Sequence, residues 1–357
     1  MSASGKIVIA LDGMGGDRAP DMVVRGADIA RQRYPDASFL LFGDKARLQP
    51  MVDKTRWLKT ACEIIEAPDV VTNDDKPTAA LRKRRTSSMG MAIEAVAEGQ
   101  AACVVSAGNT GALLATATVG LRMLPGVRRP ALCTFLPTVR GETAMLDLGA
   151  NLQCDANNLV EFAVMGSVFA KSVLGIDAPT VGLLNVGAEE GKGNETLRDA
   201  AAMLRVEDSP VVFHGFVEGN DIGAGVVDVV VTDGFTGNVA LKTIEGTAKL
   251  YTGFVRQAFK TSTLAKVGYV LASSAWKKLG QRVDPRRYNG GVFLGLNGVC
   301  VKSHGGTDEL GFAYALGVAV DLVKYHFSDK VVEELSLFRL ALGDVPSAAA
   351  GGTVGAA

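Results

Sequence analysis

Short apolar runs alternate along this chain with polar, glycine-rich loops and then with stretches of helical period. The first instance is KIVIALDGMGGD, which leads into a helix opened by Pro20. CVVSAGNTGA comes next, ahead of a helix over about 113–123, followed by AMLDLGANLQCD, VGLLNVGAEEGKGNE, VVVTDGFTGNVALK and VCVKSHGGTDELG. Continuous Val/Ile/Leu-rich strands between helices predict a largely parallel sheet covered on both faces. The spacing varies too much for a short-period repeat. In sheets of this kind ligands gather at the carboxyl ends of strands, where these loops fall.

Two segments depart from the pattern. Over about 251–287 the chain reads as helix without a strand, with Leu264, Val267, Val270, Leu271, Ala275 and Leu279 at helical spacing. Around them stand Lys266, Lys277, Lys278 and Arg282 among other bases, with Asp284 the lone acid. Such a stretch packs as an ordinary helix or serves as a basic amphipathic surface for anionic lipid or an acidic protein. The end, VPSAAAGGTVGAA, is small and weakly polar and reads as disordered. The expected organisation is one α/β unit over 1–345, carrying the helical insertion, and a tail over 346–357.

Composition removes several classes of function. A formal net charge of −1 gives no global pull toward nucleic acid. Cys62, Cys103, Cys133, Cys154 and Cys300 are scattered without a C-x-x-C pair, which argues against a disulfide framework or a zinc knuckle. Cys103, Cys133 and Cys300 lie in apolar runs and read as small buried hydrophobes. The opening MSASGKIVIALDG carries no signal-peptide pattern, and the expected location is the cytosol.

The loops hold the candidate chemistry. Gly13, Gly15 and Gly16 let the backbone turn sharply before a helix start, a place suited to an anion. The dinucleotide pattern is not met there, because Asp17 and Arg18 follow the glycines. Asn109, Thr110, Thr236 and Asn238 put amides and hydroxyls at strand ends, where helix capping competes with a functional role. Asp147 and Asp233 orient backbone donors or close turns. Lys192, between two glycines, supplies a point charge for phosphate. His304, one of three histidines, stands in a strand-end glycine loop where an acid–base group would serve. The run Arg82 to Arg85 precedes Ser87 and Ser88, either of which can cap the next helix. There is no G-x-S-x-G elbow, Walker loop or H-E-x-x-H pair, so an enzyme of this kind takes its nucleophile from the substrate.

Read in order, ALDGMGGDRAP, VSAGNTGALLA, LDLGAN, LNVGAEEGKGNE, VVVTDGFTGNVALK and FLGLNGVCVKSHGGTDELGF resemble the phosphate acyltransferase family known as PlsX. The resemblance implies a three-layer α/β/α sandwich similar to the isopropylmalate and isocitrate dehydrogenases. It implies a homodimer that moves a fatty acyl group from acyl carrier protein to inorganic phosphate, for phospholipid synthesis, without metal or nicotinamide. It also implies peripheral contact with membranes, through Lys266, Lys277, Lys278 and Arg282. Lys192 and Asn238 are the expected catalytic groups, holding phosphate and the oxyanion, with His304 assisting proton transfer. Asp12, Gly15, Gly16, Asn109, Thr110, Asn185, Asp233 and Thr236 are the expected substrate-binding set. A dehydrogenase of the same architecture and a non-catalytic acyl-binding protein are the alternatives.

Overall fold

A computed structural model describes residues 6–282 and 284–343; the expected tail lies outside them. The apolar runs become the strands β1 (Ile7–Asp12), β2 (Ala37–Gly43), β3 (Cys62–Glu66), β4 (Cys103–Ser106), β5 (Ala131–Pro137) and β6 (Glu142–Leu146). They continue as β7 (Thr180–Leu184), β8 (Val212–Val217), β9 (Val229–Val231), β10 (Gly291–Leu294) and β11 (Val299–Lys302). All eleven join one sheet in the order β3-β2-β1-β4-β11-β10-β5-β6-β9-β7-β8. Seven of the ten pairings are parallel, as the continuous apolar strands require.

The three antiparallel pairings, β11 with β10, β10 with β5 and β5 with β6, stand together in the middle. Three successive reversals make β6, β9, β7 and β8 run opposite to β3, β2, β1, β4 and β11. The glycine loops of the two halves therefore follow strands of opposite direction.

Helices close both faces. Asp21–Arg33, Glu309–Lys324 and the central helix Ala156–Leu174 cover one side, and the last buries fourteen of its residues. Its start is fixed by a reciprocal cap between Asp155 and Asn158, and Gly175 in a left-handed conformation ends it. Ser88–Ala97 and Thr110–Leu121 cover the other face of the first half. Cys103, Cys133 and Cys300 are buried and free, as their apolar surroundings predict.

The helical insertion starts earlier than its sequence suggests. Helix Gly234–Lys260 runs on into Thr263–Leu271 and Ser273–Arg282, and only Gly234 and Gly237 of the three are buried. Phe259, Tyr269 and Trp276 pack ring against ring and hold the arm together. Among the described residues no helix is long and apolar enough to cross a membrane.

Candidate active site

In the first half the site is built on a row of side chains across three parallel strands. Register places Ser106 of β4 beside Lys302 of β11, and Asp12 closes the row from β1. In-register partners point to one face, so the three side chains share it. The Asp12 carboxylate is buried and accepts the Ser88 hydroxyl at 2.6 Å and the Ser106 hydroxyl at 2.7 Å. Burial pushes its pKa up, and those hydroxyls pull back. Burial pushes the Lys302 ammonium down to about 8, against the pull of Asp12 and Asp17.

Above this row three loops touch. A Cβ at Gly15 would lie 2.2 Å from Asp12 Oδ2, and one at Gly16 would lie 2.9 Å from the Cβ of Ala107. Gly16 also has φ +108°, so both positions exclude any side chain. The Asp17 N–H donates to the Gly305 carbonyl, which brings His304 to the same place. Asn73 bridges the remaining gap: its amide donates to Asp17, and its carbonyl accepts from the Asn109 side chain.

The second half repeats the design with different donors. Asp147, fully buried after β6, takes five N–H groups: Leu132, Gly149 and Ala150 on Oδ1, and both the backbone and side chain of Asn151 on Oδ2. Burial pushes its pKa up, yet donors on every side hold it as the acceptor-only carboxylate. Helix Gly234–Lys260 begins directly on it, because a Cβ at Gly237 would lie 1.9 Å from the Asp147 carbonyl oxygen. The exposed Asn238 follows in the first turn, its side-chain amide bonded to no described residue. Beside β9, the loop after β7 carries Asn185, whose amide braces the loop on Val186 and Lys192, and the exposed Lys192, which forms no ion pair among the described residues.

The long helix joins the two clusters. Lys242 and Glu245, paired at 2.9 Å, are close enough for their charges to act on His304. Asn238 to Glu245 is seven residues, about 10 Å of helix at 1.5 Å per residue. The helix thus runs from the second cluster, at Asn238, toward the first, at His304.

A family model described as "Fatty acid synthesis protein" matches residues 7–330. A phosphate acyltransferase of Rhodospirillum centenum is 60% identical over 339 residues, covering 95% of this chain and 96% of its own length. One from Rhodospirillum rubrum is 58% identical over 93% of this chain and 95% of its own. This chain belongs to the phosphate acyltransferase family, PlsX. Solved structures of lower identity share its fold. They include a phosphotransacetylase from Streptococcus pyogenes (TM-score 0.60, 16% identity, 89% of this chain and 94% of that one). A putative 4-hydroxythreonine-4-phosphate dehydrogenase from Salmonella typhimurium also matches (TM-score 0.50, 14% identity, 89% and 99%). The α/β/α sandwich expected from the loops is the fold observed.

For this family member the structure sorts the expected residues. Asp12, Gly15, Gly16, Asn109 and His304 come together, with Thr110 exposed at the adjoining helix start. Asn185 and Lys192 stand on the loop after β7, next to the loop after β9 and the helix start that carry Asp233, Thr236 and Asn238. The helix caps are Asn109 and Asp233, accepting from the N–H groups of Ala112 and Thr236, and the two threonines are not caps. Ser87 caps Ser88–Ala97, which frees Ser88 to reach Asp12. Ser106 and Lys302 stand inside the quoted loop motifs without being read as site residues, and Asn73 lies outside them. Lys302 had one signal, a charge closing an otherwise apolar strand. Lys266, Lys277 and Lys278 are exposed on the arm, whereas Arg282 donates to the carbonyls of Thr138 and Val139 and ties the arm to the body.

Proposed function

We propose that this enzyme transfers a fatty acyl group from the thioester of acyl carrier protein to inorganic phosphate. The observation that carries the reading is the exposed Lys192, free of any ion pair among the described residues, on the loop after β7 beside the helix start that carries the exposed Asn238 amide, with Ser106 and Cys154 unfit as nucleophiles. Ser106 is buried with its hydroxyl given to Asp12. Cys154, the thiol near Asp147, is pushed up to about 12 by burial and stays protonated. Phosphate brings its own nucleophilic oxygen. That oxygen bonds to the carbonyl carbon, the C–S bond breaks, and the proton released by phosphate leaves on the carrier thiol. Lys192 holds the phosphate, and the Asn238 amide donates to the carbonyl oxygen as it becomes negative.

Purified protein should consume acyl-carrier thioester only when phosphate is present, and hydroxylamine should trap the product as a hydroxamate. Asn238→Ala should slow this on the order of a hundredfold. Equal thioester loss without phosphate would make the protein a thioesterase.

The arm supports two further parts of the proposal. Phe235, Val239, Leu250, Tyr251 and Phe254 are exposed along helix Gly234–Lys260, and a second copy of the chain covers that face. Leu264, Val270 and Leu271, at 82%, 67% and 81% exposure, lie with Lys266 on the outer helix and meet anionic membrane. A monomer by light scattering would remove the first part; equal sedimentation with neutral and anionic vesicles would remove the second.

A further inference from the structure

The fold dictates the protonation pattern of His304. Its backbone N–H donates to Asn289 Oδ1 at 2.8 Å, which fixes where the loop leaves β11. Asn289 is locked in turn, donating to Ser303 Oγ at 2.9 Å and to the Gly311 carbonyl at 2.7 Å. Two residues on, the N–H of Gly306 donates to His304 Nδ1 at 3.1 Å. A backbone N–H can only offer a proton, so Nδ1 must present its lone pair. A neutral ring then carries its own proton on Nε2. Protonating Nδ1 would set two N–H groups against each other and break the turn. Nε2 bonds to no described residue.

The surrounding charges act in the same sense. Partial burial of the ring and the Lys302 ammonium lower the His304 pKa, and Lys242 adds to this. Glu245 and Asp17 oppose it and are outweighed. Lys302 stands on the adjoining strand end, its ammonium donating to the Ser303 carbonyl between the two side chains.

We propose that His304 works as a neutral hydrogen-bond donor through Nε2 to an anionic substrate oxygen, its tautomer set by the Gly306 N–H on Nδ1, with the Lys302 ammonium anchored beside it on the Ser303 carbonyl. This replaces proton shuttling by His304. A neutral imidazole with its acceptor nitrogen already occupied can stabilise charge, but it cannot take a proton on that nitrogen. The inference rests on the reading that acyl transfer occurs between the two clusters.

Only three histidines are present, so His214→Gln with His326→Gln leaves His304 alone for nitrogen-15 histidine NMR on the full chain. The expected spectrum is the Nε2–H tautomer, with a titration midpoint below the ordinary 6.5. Lys302→Met should raise that midpoint and move the acid limb of kcat/KM with it. A proton on Nδ1, a midpoint at or above 6.5, or no response to Lys302→Met would overturn the proposal.

Kinetics give a separate reading. His304→Gln keeps an N–H donor and cannot act as a base, so it should stay within roughly tenfold of the parent while His304→Ala falls on the order of a hundredfold. Glutamine as slow as alanine would restore the base role. A fall in kcat in the alanine variant assigns the contact to the thioester carbonyl; a rise in the phosphate KM alone assigns it to phosphate. A parent that makes no acyl phosphate would strike the functional reading and leave the tautomer result standing.

Discussion

From the last residue of β4 the chain runs SAGNTG into the helix Thr110–Leu121; after β9 it runs TDGFTG into the helix Gly234–Lys260. Each helix is capped by an Asx side chain, and each places a Thr-Gly pair in its first turn. Beyond that turn the two diverge. The first buries Ala112, Leu113, Thr116, Ala117 and Leu121 in the core, while the second buries only Gly234 and Gly237 and leaves the body. The aspartates beneath them differ as well. Asp12 is held at short range by two hydroxyls, which can turn to donate or accept, with the Met14 N–H farther off at 3.4 Å, and Asp147 by N–H groups alone, which can only donate. The first half is therefore a site whose hydrogen bonds can be rearranged, and the second a fixed array of donors.

That contrast is broken most directly by replacing each aspartate with asparagine. In Asp147→Asn one carboxylate oxygen becomes an NH2 facing N–H donors, leaving at least two buried donors unpaired. The expected loss is about 3 kcal/mol or more, since each buried unsatisfied group costs about 1–3 kcal/mol. In Asp12→Asn the hydroxyl of Ser88 or Ser106 rotates and accepts from the new amide. The expected loss is about 1 kcal/mol, one altered hydrogen bond. Urea midpoints at neutral pH compare the two, and equal losses would show that donor type does not matter.

The paired glycines sharpen it next. Gly237→Ala drives a methyl into the Asp147 carbonyl oxygen, 1.9 Å away in the present backbone, and must shift the turn that carries Asn238. About 1–3 kcal/mol of stability should go, as in overpacked cores, together with most of the turnover. At Gly111 a Cβ meets its nearest neighbour, Asn109 Oδ1, at 3.5 Å, an ordinary contact. Gly111→Ala should be neutral or stabilise by up to about 1 kcal/mol through helix propensity. Thermal unfolding with an activity assay reads both. Similar behaviour in the two variants would mean that the helix start does not press on Asp147.

The sequence makes some of this legible and hides the rest for physical reasons. Alternating apolar runs and glycine loops announce a parallel sheet because each strand is buried on both faces. At the seam, β5–β6 and β10–β11 are hairpins over four-residue loops, but the pairing that joins them is invisible, since β5 chooses β10 across more than 150 residues of chain. The sequence favours Thr110 and Thr236 over the loop asparagines as caps, and the structure gives the cap to neither threonine. Which residue takes the cap depends on backbone angles at one position, and Asn109 and Asp233 occupy it. Lys302 matters because Asp12 and Ser106 reach the same row from distant parts of the chain. The helical spacing of the arm could be read directly. Its exposure could not, because an apolar stripe looks the same whether a core or a partner covers it.

The smallest expected effect concerns pH, and it follows from the sign of the Asp12 shift. Burial raises its pKa in the folded protein above the unfolded value of 3.8. Between 3.8 and that raised value the folded state binds the proton more tightly than the unfolded state does. Stability from this group is thus fully present below the unfolded pKa and is lost as pH rises through the folded one. Asparagine cannot titrate, so Asp12→Asn lacks this dependence, while every other carboxylate contributes equally to parent and variant. The stability gap between the two should therefore be widest near pH 4 and narrow toward neutrality. Urea midpoints of both proteins across that range measure it. A gap that widens with pH would mean that Ser88 and Ser106 stabilise the ionised carboxylate more than burial opposes it, and Asp12 would then be as fixed in its charge as Asp147.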